Sequence, residues 1–224
     1  NTVTYSALIS ACEKGNQCQH ALAVFDEMRQ RRIPPNTVTY ASLVEVAGNC
    51  GQIEMALRIY ELGLHSNCFQ NYQPIHLGSE LIPTDPNNPP QDASLTQMSI
   101  LDSIDLHSTT EMGCRICMLS WLRQLKCQEK RIAEFKLPHL VEQSDLHVRI
   151  ITGWGKNSAT PGRSKVREAV SKMLQGGLGK AVRLHVPEDN PGVFYITRDD
   201  LVMWLSMFET PEAIKLKHMP YERV

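Results

Sequence analysis

Two short motifs in the second half of the chain carry side chains that could bind or act on an anion. Asp105 and His107 lie two residues apart, in a stretch from Ile100 that alternates like a β-strand. Residues two apart in a strand share a face, so a carboxylate and an imidazole are expected side by side. The second motif occupies residues 152–156 and consists of Thr152, Gly153, Trp154, Gly155 and Lys156.

The second motif has the composition of an anion-binding turn. Glycine at positions 153 and 155 lets a ligand approach the backbone closely, and free N–H groups in such a turn form an anion nest. Positive charge lies beside it, on Lys156, Arg163, Lys165 and Arg167. Residues 149–183 hold eight Lys or Arg and one acidic residue, a local excess of +7. Such an excess suits a polyanion, and a solvated basic helix face is the alternative.

The elements that must position these motifs alternate between strand and helix. Ser108 and Glu111 have capping-box spacing, which predicts that a helix starts at Ser108. Thr197 with Asp200 predicts another helix cap. The predicted elements are a strand at 100–107, a helix to about 127, a strand at 147–152, a helix at about 164–174, strands at 182–186 and 192–196, and a helix to 208.

This order, β-α-β-α-β-β-α, predicts a two-layer α/β domain. If the first two strands are parallel, their carboxyl ends lie at one edge of the sheet, where open α/β sheets bind ligands. The motifs of Asp105 and Gly153 are therefore expected to meet at that edge. A second triplet, Asp145-Leu146-His147, begins a strand at the opposite edge and is interpreted as a coincidence.

The first third of the chain contains an internal repeat. Residues 1–5, Asn-Thr-Val-Thr-Tyr, return unchanged at 36–40, an offset of 35 residues. Matches at the same offset include Leu8 with Leu43, Gln17 with Gln52, Ala21 with Ala56, and Phe25 with Tyr60. Apolar residues recur at helical spacing, and Gly15-Asn16 and Pro34-Pro35 interrupt them. The pattern predicts stacked helix–turn–helix units, an α-helical solenoid.

These units resemble the pentatricopeptide repeat family. The family's opening V-T-Y-x-x-L-I stands here at 3–9, and its later A-L-x-x-F-x-E-M stands at 21–28. The resemblance implies that each repeat reads about one RNA base, through the residue after the Tyr and the residue at the repeat's end. The first repeat offers Ser6 with Asn36, a pairing that in the family suggests adenine. The alternative is that both are solvated residues at helix ends. The second repeat offers Ala41 with Asn71, and alanine cannot hydrogen-bond a base edge, so little discrimination is expected.

The motifs of the second half resemble those of the small MutS-related (Smr) domain, over residues 98–208. The family's L-D-L-H stands as Ile104-Asp105-Leu106-His107, and its T-G-x-G stands at 152–155. The type fused to plant organellar pentatricopeptide proteins has T-G-W-G-K-H-S, which stands at 152–158 with Asn157 in place of the His. The resemblance implies nucleic-acid binding and, in several members, endonuclease activity. Any acid–base role of that His is lost here.

For phosphodiester cleavage we hypothesise a division of roles. Asp105 would act as base or as ligand of a divalent metal, magnesium or manganese, and His107 as general acid or base. The amides of residues 153–155 and Lys156 would hold the phosphate, while Trp154 would stack on a base, worth about 1–3 kcal/mol. The alternative is that Asp105 and His107 only hydrogen-bond each other and cap the next helix, because some Smr domains bind without cutting.

The chain is predicted to have four parts. Residues 1–65 form about two repeats, 66–97 a flexible linker, 98–208 the Smr domain and 209–224 a C-terminal tail. The linker prediction depends on many Pro, Asn and Gln residues and on the lack of Lys and Arg. Because the chain starts inside a repeat pattern, it is interpreted as part of a longer protein with more repeats upstream. No uncharged apolar stretch of about 18 residues occurs, so no membrane span is expected.

As a whole the sequence predicts an RNA-binding protein whose repeats select an organellar transcript and whose Smr domain binds or cleaves nucleic acid. The alternative is a non-catalytic RNA-binding or scaffold protein that protects transcript ends or recruits partners. Single-stranded RNA is the expected partner, DNA is the alternative for the Smr domain, and no small-molecule substrate is expected. The resemblance favours the plastid, with the mitochondrion as the alternative.

Overall fold

The structure is a computed structural model that describes residues 1–69, 100–134, 146–153 and 164–216. Its first four helices are α1 (Thr2–Lys14), α2 (Cys18–Gln30), α3 (Thr37–Asn49) and α4 (Ile53–His65). Both bounds of α3 lie 35 residues after those of α1, and the same offset relates α4 to α2. The predicted helical repeat and its period are therefore confirmed.

The repeated pentapeptide starts the first helix of each repeat. The side chains of Asn1 and Asn36 cap α1 and α3, accepting hydrogen bonds from the backbone N–H groups of Thr4 (3.0 Å) and Thr39 (2.9 Å). Such a cap satisfies a backbone donor that the helix itself leaves unpaired. Positive φ angles also recur at equivalent loop positions, at Asn16 and Gly51 and again at Arg32 and Asn67.

Aromatic side chains join the repeats. Tyr40 packs edge-on against Phe25, with ring centroids 5.9 Å apart. Phe69 continues this stack, lying nearly parallel to Tyr60 at 5.4 Å and edge-on to Tyr40 at 6.2 Å. Gly63 makes room for it, because a Cβ at position 63 would lie 2.3 Å from the Phe69 ring. The core of the second repeat thus ends on a residue from the predicted linker.

The chain forms two compact units, and residues 108–120 group with the repeats in the first. Helix α5 (Glu111–Cys127) begins in this segment. Thr110 donates a hydrogen bond of 2.5 Å to Glu45 of α3. Met112 lies over Gly48, where a Cβ would come within 2.4 Å of the Met112 side chain. These contacts pack the segment against the second repeat, although it lies within the predicted 98–208 domain.

The second unit contains a three-stranded sheet in the order β1-β2-β3. Strand β1 (Ile100–Asp105) is parallel to β2 (His147–Ile151), and β2 is antiparallel to β3 (Val193–Thr197). Asp105 is the register partner of Ile151, so the carboxyl ends of β1 and β2 lie at one edge. This is the pairing that the predicted site requires.

Three further helices of the described residues belong to the second unit. They are α6 (Glu129–Glu134), α7 (Lys165–Lys172) and α8 (Arg198–Ser206), with a π-helical turn at Met173–Gly177 and a 3₁₀ turn at Pro211–Ala213. The Thr197 hydroxyl caps α8 by accepting from the Asp200 N–H at 3.2 Å, as predicted. Buried side chains on the strands and helices form the core, including Ile104, Val148, Ile150, Ile196, Trp121, Leu122, Leu201 and Trp204.

Two predicted details at the start of this region are wrong. Strand β1 ends at Asp105, so His107 lies in the following turn. Helix α5 begins at Glu111 and is capped by Thr110, whose hydroxyl accepts from the Gly113 N–H at 3.0 Å. Ser108 lies too far before the helix to be its cap. Thr110, one residue before the first helical position, accepts the hydrogen bond from the backbone N–H instead.

The predicted strand at 182–186 is also wrong, because it is reduced to a single bridge between His185 and Tyr195. The Val182 N–H donates to the carbonyl of Leu174 at 2.9 Å, which draws the segment toward the end of the preceding helix. Pro187 has no N–H with which to continue the ladder on the other side.

Parts of the predicted linker and tail, residues 70–97 and 217–224, lie outside the described residues. In the ranges that are described, no helix is long and apolar enough to cross a membrane.

Candidate nucleic-acid interface

Asp105 and His107 are joined by a tight turn at the carboxyl end of β1. Oδ1 of Asp105 accepts hydrogen bonds from the backbone N–H of His107 at 3.0 Å and from its ring Nδ1 at 2.6 Å. A turn, and not the alternation of a strand, therefore brings the two side chains together. Both side chains are more than one-third exposed, so a ligand can reach them from solvent.

The contact with Asp105 orients the His107 imidazole. Because a carboxylate can only accept, the shared proton lies on Nδ1, and neutral His107 then carries its lone pair on Nε2. Neither Nε2 nor Oδ2 of Asp105 has a partner among the described residues. The pair thus presents a basic nitrogen, held by a carboxylate, to the solvent at the sheet edge.

The second motif meets the first at this edge. A Cβ at position 153 would lie 3.3 Å from the Cβ of His107, and Gly153 has a φ of +70°, which favours glycine. The Leu106 N–H donates to the carbonyl of Ile151 at 2.7 Å, so the chain between Asp105 and His107 is held against the end of β2. The absence of a side chain at position 153 keeps the approach to His107 open.

The backbone N–H groups at the start of the second motif already have partners, which corrects the predicted role of Gly153 in an anion nest. The N–H groups of Thr152 and Gly153 both donate to the carbonyl of Gly192, at 2.9 and 3.1 Å. The Thr152 hydroxyl donates to the same oxygen at 3.0 Å, and Thr152 is buried. These two residues therefore position the turn and have no free amide for a phosphate. Four other predicted residues lie outside the described part: Trp154, Gly155, Lys156 and Arg163.

Helix α7 carries the described portion of the basic segment. Ser164 caps it, accepting from the Arg167 N–H at 3.2 Å, and donates to the carbonyl of Thr152 at 3.4 Å. This second bond ties the start of the helix to the second motif. Lys165 and Lys172 are exposed on the helix. The predicted cations of α7 therefore lie on the element that directly follows the candidate site.

Arg167 is held more firmly than an ordinary surface cation. Its guanidinium donates to the carbonyl of Pro191 and lies 4.2 Å from the centroid of the Phe194 ring. Burial lowers the pKa of Arg167, but a guanidinium stays protonated at neutral pH. An open cavity of about 630 Å³ lies beside it, lined by Ser164, Arg167, Glu168, Ser171, Lys172, Gln175, Val186 and Phe194. The charged residues of this lining are two cations, Arg167 and Lys172, and one carboxylate, Glu168.

The described residues contain no group of three His, Cys, Asp or Glu that could hold a metal ion. Asp105 has one oxygen without a partner among those residues. Magnesium commonly takes one or two protein carboxylates and completes its shell with phosphate oxygens and water. The described residues therefore offer a divalent ion a single carboxylate, that of Asp105, and no second protein ligand.

The predicted base-reading pair of the first repeat lies at the junction of the two repeats. Ser6 is only 4% exposed. Its hydroxyl lies 2.9 Å from the carbonyl of Thr2, 2.8 Å from the Thr39 hydroxyl and 3.1 Å from Oδ1 of Asn36. Ser6 is therefore a buried link between α1 and α3, and the alternative of a solvated residue at a helix end does not hold for it.

Asn36 is oriented by the groups around its amide oxygen. Oδ1 accepts from the N–H and the hydroxyl of Thr39, both at 2.9 Å, and faces the Ser6 hydroxyl. A backbone N–H can only donate, so the amide oxygen must point into the junction and Nδ2 must point away from it. Nδ2 has no partner within the described part of the chain. Asn36 thus presents two oriented N–H donors.

Exposed valines flank the base-reading positions, and sequence reasoning missed them. Val3 and Val38 are equivalent residues, 74% and 52% exposed. Each lies three residues before a predicted reading position, Ser6 or Ala41, and so shares its helix face. The sequence signal for these valines is that the valine is unchanged in the repeated pentapeptide of residues 1–5 and 36–40, whose asparagine caps the helix. Ala41 is exposed, and Asn71 lies outside the described residues.

Comparison with known proteins bears on the repeats. Residues 1–47 match the model of the PPR repeat family. The pentatricopeptide repeat-containing protein At3g29290 of Arabidopsis thaliana is 35% identical over 80 residues, covering 31% of this chain and 15% of that protein. The chloroplastic pentatricopeptide repeat-containing protein At5g02830 of the same plant is 34% identical over 58 residues, covering 26% of this chain and 7% of that protein.

The chain spans only 15% or less of the length of these two relatives. The family match falls on α1, α2 and most of α3, which carry the 35-residue structural period. Residues 1–47 are therefore similar to pentatricopeptide repeats.

Proposed function

We propose that this chain is an RNA-binding protein whose repeats bind single-stranded RNA and whose sheet unit, of Smr type, binds and cleaves nucleic acid. The observation that carries the RNA proposal is the junction of Ser6 and Asn36. There an amide held by buried partners presents N–H donors, and Val3 and Val38 of the same two repeats are exposed. Hydrogen-bond donors next to apolar surface are what an unstacked base requires.

Base recognition by the first repeat is assigned mainly to Asn36. Its Nδ2 donates to an acceptor on the base edge, and buried Ser6 holds the amide without touching the base. Val3 and Val38 offer apolar surface to the faces of the ring. Adenine, which the family pairing suggests, has ring-nitrogen acceptors that suit such a donor. Ala41 has no hydroxyl with which to hold a partner amide, so the second repeat discriminates little.

The sheet unit binds the phosphate backbone along α7. Lys165, Arg167 and Lys172 supply charge, and Lys156 and Arg163 belong to the same basic segment of the sequence. Trp154 stacks on a base. The bare backbone at position 153 lets a phosphodiester approach His107. In this proposal a scissile phosphate lies between the oriented imidazole and the basic residues of α7.

Cleavage is assigned to His107 with Asp105 as its partner. Nε2 of His107 takes the proton from the attacking hydroxyl, and the carboxylate of Asp105 stabilises the imidazolium that forms. As the attacking oxygen bonds to phosphorus, the P–O bond to the leaving oxygen breaks, and the imidazolium returns its proton to that oxygen. Arg167 and its neighbouring cations offset the charge that develops on the phosphate. A divalent metal on the second oxygen of Asp105 would add positive charge at the same phosphate.

A non-catalytic clamp is the second candidate. Two observations favour it: Arg167 is fixed by Pro191 and Phe194, as a binding cation would be, and Asp105 and His107 already satisfy each other in part. A clamp would depend on the cations of α7 and would weaken steeply with salt. It would protect transcript ends or recruit partners, and DNA remains a candidate ligand for this unit.

The proposal also includes an organellar transcript as the target. One relative is named chloroplastic, which favours the plastid over the mitochondrion.

The test is a cleavage assay with the whole chain and end-labelled single-stranded RNA or DNA, in magnesium or in EDTA. His107→Ala and Asp105→Ala are expected to slow cutting at least 100-fold, in the range of general acid–base effects, while RNA affinity is retained. His20→Ala, on an exposed position of α2, is the matched control and should cut normally. Binding without cutting in every condition would overturn the cleavage proposal and favour the non-catalytic clamp. Failure of the wild type to bind RNA would overturn the RNA proposal itself.

A further inference from the structure

The three-stranded sheet has a second face, opposite the core. Along β2 the side chains alternate, so that Val148 and Ile150 are buried while His147 and Arg149 are only half-buried. Tyr195 of β3, the register partner of Arg149, is half-buried as well. Successive strand residues point to opposite faces, so these three half-buried side chains share the face that the core does not use.

Helix α7 lies on the other side of the sheet. Phe194, the register partner of Ile150, belongs to the core face, and the Arg167 guanidinium lies 4.2 Å from the centroid of its ring. The face that carries Arg149 and Tyr195 is therefore separate from the basic residues of α7.

Arg149 lies in the middle of the second face without a partner. Its Nε is buried and meets no hydrogen-bond acceptor, and among the described residues no carboxylate forms an ion pair with it. Its register partner on β1 is Ser103, and Asp105 follows two residues along. Oδ1 of Asp105 is engaged with His107 and not with Arg149. A buried donor without an acceptor is destabilising, which points to an acceptor supplied by a ligand.

Tyr195 is positioned from two sides. The His147 ring packs edge-on against it, with ring centroids 4.4 Å apart and an interplanar angle of 83°. On the other side of β3, Tyr195 and His185 exchange two backbone hydrogen bonds of 2.8 Å. These contacts hold the phenol ring while part of the residue stays exposed, as a stacking platform for a base requires.

We infer that this second face binds single-stranded RNA beside the turn of Asp105 and His107, with Tyr195 stacked on a base and Arg149 bound to a phosphate. The inference rests on the proposed function, since it takes the same RNA as the ligand. Charge favours this occupant, because an unpaired guanidinium can bind two phosphate oxygens at once.

Position favours the same occupant. Asp105 lies on the second face, one strand away from Arg149 and two residues further along, a rise of roughly 7 Å. RNA that lies on this face therefore leads to the candidate site at the sheet edge.

The test measures binding and cutting of a short single-stranded RNA by the whole chain. Arg149→Gln should weaken binding about tenfold, as expected for hydrogen bonds from a charged group, and should lower the slope of log affinity against log salt by about 0.7. Single-turnover cutting at saturating RNA should stay within about twofold of the wild type, because a flanking contact contributes to binding and not to the reaction. Arg131→Gln removes the same charge from an exposed position of α6 and should bind as the wild type.

The aromatic contact has its own variants. Tyr195→Leu should weaken binding by roughly fivefold or more, whereas Tyr195→Phe should bind as the wild type because it keeps the ring that stacks. Ultraviolet cross-linking of the wild-type complex, followed by mass spectrometry, should find a nucleotide on the peptide that contains Tyr195. This last measurement does not depend on the folding of any variant.

Three outcomes would overturn the inference. If the wild type binds and cuts RNA, and Arg149→Gln and Tyr195→Leu bind as tightly as Arg131→Gln, the inference fails and the proposed function stands. If the wild type does not bind RNA, both fail. If sedimentation shows a wild-type dimer that Arg149→Gln dissociates, with unchanged RNA affinity, the face belongs to a second copy of the chain.

Discussion

The two repeats begin with the same five residues and yet place them in different surroundings. Leu8 of repeat one is 49% exposed, whereas its equivalent in repeat two, Leu43, is fully buried. Thr4 is exposed, whereas Thr39 is buried against Ser6. Helix α3 contacts α1, α2 and α4, and Thr110 and Met112 also lie against it, whereas α1 contacts α2 and α3. Identical local sequence therefore yields identical helices, while the neighbours decide what is buried.

The largest differences in sequence between the repeats lie where repeat two packs against residues outside the repeats. Repeat one has buried Met28 where repeat two has Gly63, and Phe69 fills the space over that glycine. Glu13 is likewise replaced by Gly48, which lies under Met112. Two substitutions to glycine thus adapt the second repeat to close the stack with side chains from outside the period.

The largest effect is expected from Gly63→Ala, which tests this difference directly. Helix propensity alone predicts a gain of about 1 kcal/mol when alanine replaces a glycine inside a helix. The clash with the Phe69 ring predicts the opposite, a loss of about 1–3 kcal/mol in the free energy of unfolding. Urea denaturation measures the sign. The double variant Gly63→Ala with Phe69→Ala should remove the clash, so its loss in the free energy of unfolding should be smaller than the sum of the two single losses. Additive losses would contradict the packing of Phe69 over Gly63.

Asn36→Ala is the next in size and compares equivalent caps. Loss of the cap on α3 should lower the free energy of unfolding by about 1 kcal/mol, and Asn1→Ala should do the same on α1. Only Asn36→Ala should also weaken RNA binding, by about fivefold, because a hydrogen bond to a base contributes about 1 kcal/mol. Fluorescence anisotropy with a short single-stranded RNA measures the affinity. Equal affinities for the two variants would remove Asn36 from base recognition.

Gly48→Ala should have a smaller effect than Gly63→Ala. Its Cβ would overlap the side chain of Met112, but methionine is flexible and can move where a phenylalanine ring cannot. A loss of about 1 kcal/mol or less is expected from urea denaturation. A larger loss than that of Gly63→Ala would show that residues 108–120 close the repeat more tightly than Phe69 does.

The smallest effect is a pH dependence that only repeat two should show. In repeat one, the Ser10 hydroxyl lies 2.7 Å from the Ser42 hydroxyl of the next repeat. The equivalent residue of repeat two is Glu45, which accepts a hydrogen bond from the Thr110 hydroxyl. Burial raises the pKa of Glu45, nearby Glu13 and Glu111 raise it further, and the Thr110 hydroxyl lowers it. Because the folded-state pKa lies above the unfolded one, the folded state holds more protons between them. Stability should therefore fall as pH rises through that interval.

Glu45→Gln provides the measurement for this pH dependence. Glutamine keeps an oxygen that accepts from Thr110 and removes the buried charge. At pH 7 the variant should have a Tm about 2 °C above the wild type, and the difference should vanish below the ordinary carboxyl pKa of 4.5. A difference that is constant between pH 4 and pH 7 would show that Glu45 does not titrate with folding.

Much of the candidate site follows from local sequence, and its errors have physical causes. The 35-residue period predicts the helices, and parallel pairing predicts that Asp105 and Gly153 meet at one edge. Gly153 looks suited to an anion nest, but its N–H is taken by Gly192 from a distant loop. Ser6 looks accessible at a helix start, but Thr39 of the next repeat buries it. A pattern in one segment contains no information about which distant group will satisfy its polar atoms.

By itself the sequence determined the repeat, the order of its helices and the two motifs at the sheet edge. These features depend on contacts within a few residues or on the 35-residue period of the sequence. The tertiary structure alone decided that Phe69 and Met112 close the second repeat. Those contacts join residues that neither a helical nor a strand period relates, so only the packing of the folded chain brings them together.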